Sequence, residues 1–433
     1  MNILFFNARI LTINETFDEI ENGFLYVKGD TISYIGSVSP KEIEEGTHLI
    51  DCEGKLLLPG FVNTHTHLPM TIMRGNADDL PLHRWLEEKI YPMFAHDTDE
   101  SMYWGSLLGL AEMIRNGITC VNEMSPTIEA VISAVRQTGM RGIFSMGIAG
   151  AAPNGLEMLK VNKQIYDKLH NVDNERIKIG VGPHAEYSCN MEFLESCAEI
   201  ANELGCRIHM HVSETRQEHE QCKERHGGKT PIQLFDSLGL VNERTVMAHC
   251  VWVDNTDMEI IADRKAAVAH NPASNLKLAS GIARIKEMLD QGIKVGIGTD
   301  SCVSNNKLDM FDEMYLASLL CKCRASDASA MNARESLYLA TSGGAQAIGL
   351  QETGVLAVGK KADIIMIDTS NAVLYYPNND IYSHLVYSGN SRDVCMTMID
   401  GNILYKDGEF TTLDVPQIKA KSQELYMKLY DGC

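Results

Sequence analysis

Short β-rich runs occupy both ends of the chain, and between them an apolar strand follows a helix-like segment again and again. Near the start, Ile3-Leu4-Phe5-Phe6, Gly23-Phe24-Leu25-Tyr26-Val27 and Thr31-Ile32-Ser33-Tyr34-Ile35 are rich in β-branched and aromatic residues, with turn residues such as Lys28-Gly29-Asp30 between them. Near the end, Asp363-Ile364-Ile365-Met366-Ile367, Val394-Cys395-Met396-Thr397-Met398-Ile399 and Ile403-Leu404-Tyr405 have the same texture, parted by Asp400-Gly401-Asn402 and followed by Lys406-Asp407-Gly408. In the middle, Met113-Ile114-Arg115-Asn116-Gly117 leads into Ile118-Thr119-Cys120-Val121. Asn202-Glu203-Leu204-Gly205 leads in the same way into Cys206-Arg207-Ile208-His209-Met210-His211, and Leu289-Asp290-Gln291-Gly292 into Ile293-Lys294-Val295-Gly296. A glycine just past a helix takes the left-handed conformation that turns the chain back onto a sheet.

Eight strands are predicted in this middle stretch, at 56–63, 118–123, 142–148, 177–183, 206–213, 245–252, 266–271 and 294–299. Helical segments separate them, with apolar spacing such as Leu107, Leu108, Leu110, Ala111 and Ile114. Eight alternating units over roughly 250 residues predict a parallel (β/α)8 TIM barrel of the α/β class. A doubly wound open sheet is the alternative, but no Gly-x-Gly-x-x-Gly follows the first strand. The expected organisation is a barrel over 56–354 and a discontinuous β-sandwich, with a C-terminal helix, over 1–55 and 355–433.

The 433 residues are 45% apolar and 22% charged, ordinary for a globular chain with a large core. With 58 acidic against 38 basic side chains, the net charge of −20 repels phosphate backbones and anionic lipid, so neither nucleic acid nor membrane is an expected partner. The 12 cysteines, scattered from Cys52 to Cys433, form no CxxC pair and read as reduced thiols of a cytoplasmic protein. No signal peptide or span of eighteen apolar residues is visible. Helices such as 330–348 are candidates for contacts in a homo-oligomer.

Chemistry in such a barrel sits at the C-terminal ends of the strands. Polar residues cluster there: His65 and His67 on strand 1, His184 on strand 4, His211 followed by Glu214 on strand 5, His249 on strand 6, His270 on strand 7 and Asp300 on strand 8. With His209, half of the 14 histidines fall at or beside one rim. His65 and His67, two apart on a strand, project to one face. With His211 and Asp300 they make an N3O set suited to one divalent ion, zinc or ferrous iron. His209 reads instead as a hydrogen-bonded core histidine one layer deeper, and His270 as a support. His83, His96, His170, His219 and His226 fall on loops or helices without an expected catalytic role. Met70, Met73 and Met93 are candidates for an apolar pocket wall.

Pro59-Gly60-Phe61-Val62-Asn63-Thr64-His65-Thr66-His67, Arg74-Gly75 and Ala77-Asp78-Asp79-Leu80-Pro81 resemble the strand 1 region of the methylthioadenosine/S-adenosylhomocysteine deaminase group (with 5'-deoxyadenosine deaminases) of the amidohydrolase superfamily. So do Gly182-Pro183-His184, His211-Val212-Ser213-Glu214-Thr215, Ala248-His249-Cys250, His270-Asn271-Pro272-Ala273-Ser274-Asn275 and Gly298-Thr299-Asp300 with Ser304-Asn305-Asn306. The similarity reaches Gly359 and Ala362-Asp363 near the other end. It implies a metal-dependent aminohydrolase that releases ammonia from an adenosine-like nucleoside or related amino-heterocycle by attack of metal-bound hydroxide. In that scheme Asp300 accepts the water's proton, His249 polarises the hydroxide and Glu214 protonates the ring nitrogen, a step worth typically 10²–10⁴-fold. His184 and Glu214 would contact substrate.

Binuclear relatives carry a carboxylated lysine at the end of strand 4, where this chain has His184-Ala185-Glu186, so one metal is expected. The cytidine-deaminase pattern fails because its cysteine pair is missing. Hydrolysis of another heterocycle (a free purine, pterin, triazine or cyclic amide) is the competing activity, and a non-catalytic scaffold would be expected to have lost ligands that are all present here. The chain departs from the group at two expected tail contacts. Phe94 stands where a glutamate grips the ribose hydroxyls, and Met146 is matched to an arginine that binds the amino-acid carboxylate. These changes predict weak turnover of S-adenosylhomocysteine, unless Glu87 or Glu88 moves in as a substitute.

Overall fold

The computed structural model describes residues 2–370 and 373–431. Five strands come first: β1 (Asn2–Leu11), β2 (Glu19–Lys28), β3 (Thr31–Gly36), β4 (His48–Asp51) and β5 (Leu56–Pro59). Eight parallel strands follow: β6 (Phe61–Thr66), β7 (Ile118–Ser125), β8 (Arg141–Ile148), β9 (Ile177–Pro183), β10 (Ile208–Val212), β11 (Thr245–His249), β12 (Ala267–His270) and β13 (Lys294–Ile297). The last four are β14 (Ile364–Ile367), β15 (Val394–Ile399), β16 (Asn402–Lys406) and β17 (Glu409–Phe410).

The eight parallel strands pair in sequence order from β6 to β13, each with its neighbour. The circle is completed where β13 returns to β6: Asp300 N donates to His65 O at 2.9 Å, and Thr66 bridges Asp300 in parallel. Gly298 permits this approach, since a Cβ there would stand 2.5 Å from Asn271 Oδ1 and 2.8 Å from His65 N. The barrel is therefore closed, as the alternation of elements predicts. Gly117, Gly205 and Gly292 end their helices with φ of +82°, +61° and +73°.

Both chain ends enter one second sheet, in the order β17-β16-β15-β14-β5-β1-β2-β3, with β4 beside β1. Leu25, Val27 and Ile32 from one end of that order share an apolar cluster with Ile364, Met366, Met396 and Met398 from the other, so the sheet folds over a single core. The expected first barrel strand, 56–63, is divided. Leu56–Pro59 pairs with β14 and β1 in the terminal sheet, and only Phe61 onward enters the barrel. The run Leu56-Leu57-Leu58-Pro59-Gly60-Phe61-Val62 is buried throughout, so no change of periodicity marks the switch of sheet.

Arg141, at the start of β8, joins the two units. Its buried guanidinium donates from Nε to Asp363 Oδ2 at 2.6 Å and from a terminal nitrogen to Asp400 Oδ1 at 2.9 Å. The segment 330–348 is two short helices, Ala333–Leu339 and Ser342–Ile348, rather than one. Ala345 and Ile348 of the second pack on Val62, Cys120, Ile143 and Val246 near the N-terminal ends of the strands, so this helix plugs the barrel. All described cysteines are free thiols, and Cys433 lies outside the described residues. Among the described residues no helix is long and apolar enough to cross a membrane.

Candidate active site and metal centre

The rim opposite that plug collects the histidines. His65 lies near the end of β6 and His67 just after it, His211 lies near the end of β10, His249 ends β11 and Asp300 follows β13. Three of these strands stop abruptly: Ser213, His249 and Asp300 have φ of +49°, +74° and +58°, left-handed values that residues with a Cβ rarely take. Such backbone strain concentrates at functional sites. Here it lets the chain leave the barrel at once while the side chains stay over the mouth.

Ring orientations are set from behind. His67 Nδ1 donates to Met124 O at 2.5 Å and His211 Nδ1 to His184 O at 2.8 Å, so in each neutral ring Nε2 carries the lone pair. These two Nε2 atoms lie 3.3 Å apart, and Asp300 Oδ1 is 3.2 Å from His67 Nε2 and 3.3 Å from His65 Nε2. His65 Nε2 is buried without a hydrogen bond, while its Nδ1 meets His209 Nε2 at 2.8 Å. These three spacings match the edge of a tetrahedron around an ion with bonds of about 2.0–2.1 Å, and His65, His67 and Asp300 lie close enough together to share one ion, with His211 beside His67. Burial opposes charge on all of them, yet His65 and His67 together hold the Asp300 carboxyl well below its usual range, and Asp300 draws the His67 pKa upward. The spot is built for positive charge, and a divalent cation fits it. Oδ2 of Asp300 is anchored by the hydroxyls of Ser274 at 2.6 Å and Ser304 at 3.0 Å.

Two further groups face the same point. His249 gives Nδ1 to Asn275 Oδ1 at 2.8 Å and aims Nε2 at Asp300 Oδ2, 4.0 Å away, and at Glu214 Oε2, 3.8 Å away. Glu214 is buried, accepts from Ser280 Oγ at 3.2 Å, and has its pKa raised, chiefly by burial. Beside them opens a cavity of about 80 Å3. Its lining includes His67, His184, His211, Glu214, His249 and Asp300 at one pole. The remaining wall is Met70, Leu82, Trp85, Leu86, Ile90, Phe94, Met124, Pro126, Leu278 and Tyr187, with Ser125 and Gly147.

The cavity corrects several expectations. Phe94 does line it, but Met146 does not. Met146 is 1% exposed and packs outward into the layer between barrel and helices, and Gly147 takes the cavity position. Alternation along a strand sends neighbours to opposite faces, so a one-residue error in matching moves a side chain out of the site. Glu87 and Glu88 are exposed and absent from the lining, with Glu88 paired to Arg84, so neither replaces a ribose contact. Met70 lines the cavity, whereas Met73 and Met93 pack behind its wall. His209 is the hydrogen-bonded core histidine expected, and His270 is buried outside the groups of residues able to share an ion. His184 reaches the cavity, holding Ser188 Oγ through Nδ1 at 3.0 Å, with burial pushing its pKa down to about 4.

Sequence reasoning missed Tyr187, whose ring packs edge-on to His184 and to His83 and whose hydroxyl meets no hydrogen-bond partner among the described residues. It also missed Glu123, fully buried at the end of β7, which accepts from Leu68 N at 2.8 Å and from the Ser125 hydroxyl and so steadies the loop after His67. No motif marks either residue.

A closed (β/α)8 barrel with a histidine–carboxylate cluster at its C-terminal mouth defines a metal-dependent hydrolase architecture, and residues 56–404 match the amidohydrolase family, to which this chain belongs. A 5-methylthioadenosine/S-adenosylhomocysteine deaminase of Dictyoglomus thermophilum is 42% identical over 429 residues, 99% of each chain. A 5'-deoxyadenosine deaminase of Methanobrevibacter smithii is 41% identical over 421 residues, covering 96% of this chain and 95% of its own. Among solved structures, an adenosine deaminase from Xanthomonas campestris with bound zinc superposes with a TM-score of 0.94 at 31% identity, covering 99% and 98% of the two chains.

Proposed function

We propose that this chain deaminates an adenosine-like purine nucleoside or a related amino-heterocycle, replacing the exocyclic amine by oxygen and releasing ammonia. The observation that carries this reading is the buried carboxyl of Glu214 beside the lone-pair cluster, at the polar pole of an otherwise apolar cavity. The deaminase names of relatives at about 40% identity support it.

His65, His67, His211 and Asp300 would hold one divalent ion, and zinc is favoured by the bound zinc of the Xanthomonas relative. Such an ion, when bound, lowers the pKa of a coordinated water from about 15.7 towards 7. Asp300, with Oδ2 held by Ser274 and Ser304, would take up a proton from the attacking water. His249, fixed through Nδ1 by Asn275, orients the attacking oxygen with Nε2. As the oxygen adds to the amine-bearing carbon, negative charge builds on the neighbouring ring nitrogen, and Glu214 gives its proton there. Asp300 would then pass its proton to the amine, the C–N bond would break to release ammonia, and the proton left on the new oxygen would restore the acid form of Glu214.

His184 and Tyr187 offer polar contacts to the portion of substrate beyond the ring, and the apolar wall favours an uncharged tail. Ammonia release from metal-loaded protein tests the reading, with 5'-deoxyadenosine, methylthioadenosine, S-adenosylhomocysteine, adenine, a pterin and a triazine as substrates. Release from a purine nucleoside supports it. Turnover confined to ring opening or halide loss replaces it with the competing hydrolase activity.

A further inference from the structure

The stretch Thr215-Arg216-Gln217-Glu218 opens the helix Arg216–Arg225 and spells a capping box. Half of that box forms: Thr215 Oγ1 accepts from Glu218 N at 3.1 Å. In the complete motif the glutamate carboxylate returns to the main-chain N–H of the capping threonine. Here it reaches past it. Glu218 Oε1 accepts from Ser213 N at 2.8 Å and Oε2 from Glu214 N at 2.7 Å.

We infer that Glu218 is a positioning residue that fixes the peptide carrying the proton donor Glu214, an inference that rests on the role of Glu214 in the proposed function. Glu218 is 1% exposed and makes no ion pair among the described residues, so two main-chain N–H groups and the helix N-terminus are what offset its burial. A helix cap alone needs no such arrangement. What the carboxylate holds is a strained joint: Ser213 sits at φ +49° between the ligand His211 and Glu214. The same residue is gripped from two other sides, its carbonyl by Trp252 N at 2.9 Å and its hydroxyl by His219 Nδ1 at 3.2 Å. Three groups, two of them on one helix, therefore lock one left-handed residue, and the next side chain along the chain is the buried acid that faces His249.

A double-mutant cycle in the metal-loaded enzyme tests the inference. Glu218→Gln keeps the shape but turns an amide NH2 towards one of the two N–H groups. The expected result is a fall in kcat approaching 10²-fold, the scale of a 1 Å misplacement, with KM and metal content within about twofold of wild type. In a Glu214→Gln background, where no proton is left to aim, the same substitution should change the residual rate by less than about threefold. Glu218→Asp, charged but too short to reach both N–H groups, runs through the same cycle and carries the test if Glu218→Gln does not fold. Equal losses in both backgrounds, or a loss that tracks metal content, would overturn the positioning role. Full activity in Glu214→Gln alone would instead remove Glu214 as proton donor, and this inference with it.

Discussion

Glu214 Oε2 stands 3.8 Å from His249 Nε2, with both side chains at most 5% exposed, so the proton donor and the group that orients the nucleophile share one enclosed space. Burial raises the Glu214 pKa and keeps the acid form available at higher pH than an ordinary carboxyl would. The donor must be protonated, so kcat/KM is expected to fall as pH rises through that raised value. Glu214→Gln should lower turnover by about 10² or more, the usual worth of a general acid, and should lack this alkaline limb. Its metal content should equal that of wild type. A pH–rate profile with parallel metal analysis checks both statements.

His67→Ala and His211→Ala each remove one of two facing Nε2 atoms from the cluster. Both variants should lose bound metal and turnover together, and wild-type protein stripped by a chelator should regain activity when zinc is returned. Elemental analysis beside the ammonia assay decides this. A variant that keeps full metal and full rate would remove that histidine from the ligand set.

Beyond the polar pole, the cavity wall presents no charged side chain among the described residues. The zwitterionic tail of S-adenosylhomocysteine would lose hydration there without a counter-charge. An uncompensated cost of about 3 kcal/mol corresponds to roughly 10²-fold, the expected deficit in kcat/KM against methylthioadenosine. Tyr187→Phe should raise KM for nucleosides bearing sugar hydroxyls while leaving 9-methyladenine within about twofold. Steady-state kinetics on the three compounds measures it.

Arg141 donates to both Asp363 and Asp400 from a buried position between barrel and terminal sheet. Asp363→Ala leaves part of that guanidinium without its partner. Breaking a buried pair typically costs about 3–5 kcal/mol, so the urea midpoint should drop markedly while residual activity per folded molecule stays near wild type. Equilibrium unfolding followed by circular dichroism gives the value.

Glu313 is buried, and burial pushes its pKa up to about 8 against an ordinary 4.5, although Asn305 Nδ2 at 2.6 Å and Ala273 N at 3.1 Å donate to it. The folded value lies above the unfolded one. Folding therefore takes up a proton between those pH values, and this contribution is complete below about 4.5 and fades as pH rises through about 8. The stability of wild type relative to Glu313→Gln should decline over that window by at most ~1.4 kcal/mol per pH unit. Urea titrations at pH 5, 6.5 and 8 test the slope.

Much of this protein was legible in one dimension. Strand–helix alternation closed by glycine carries the barrel, because a βα repeat has a local period that any window of sequence reveals. His65, His67, His211 and Asp300 stood out because strand ends in this fold share one rim, so chain order alone predicts their meeting. Tertiary structure decided what period cannot. Pairing alone sends Leu56–Pro59 into one sheet and Phe61 into another, since a continuous apolar run looks the same in both. Only the direction of side chains on β8 puts Met146 in the core and Gly147 on the cavity. Tyr187 belongs to the site through contacts across neighbouring loops, which leave no spacing for sequence to display, and the Thr215–Glu218 spacing announces a cap without revealing that the carboxylate reaches past it to Ser213 N and Glu214 N.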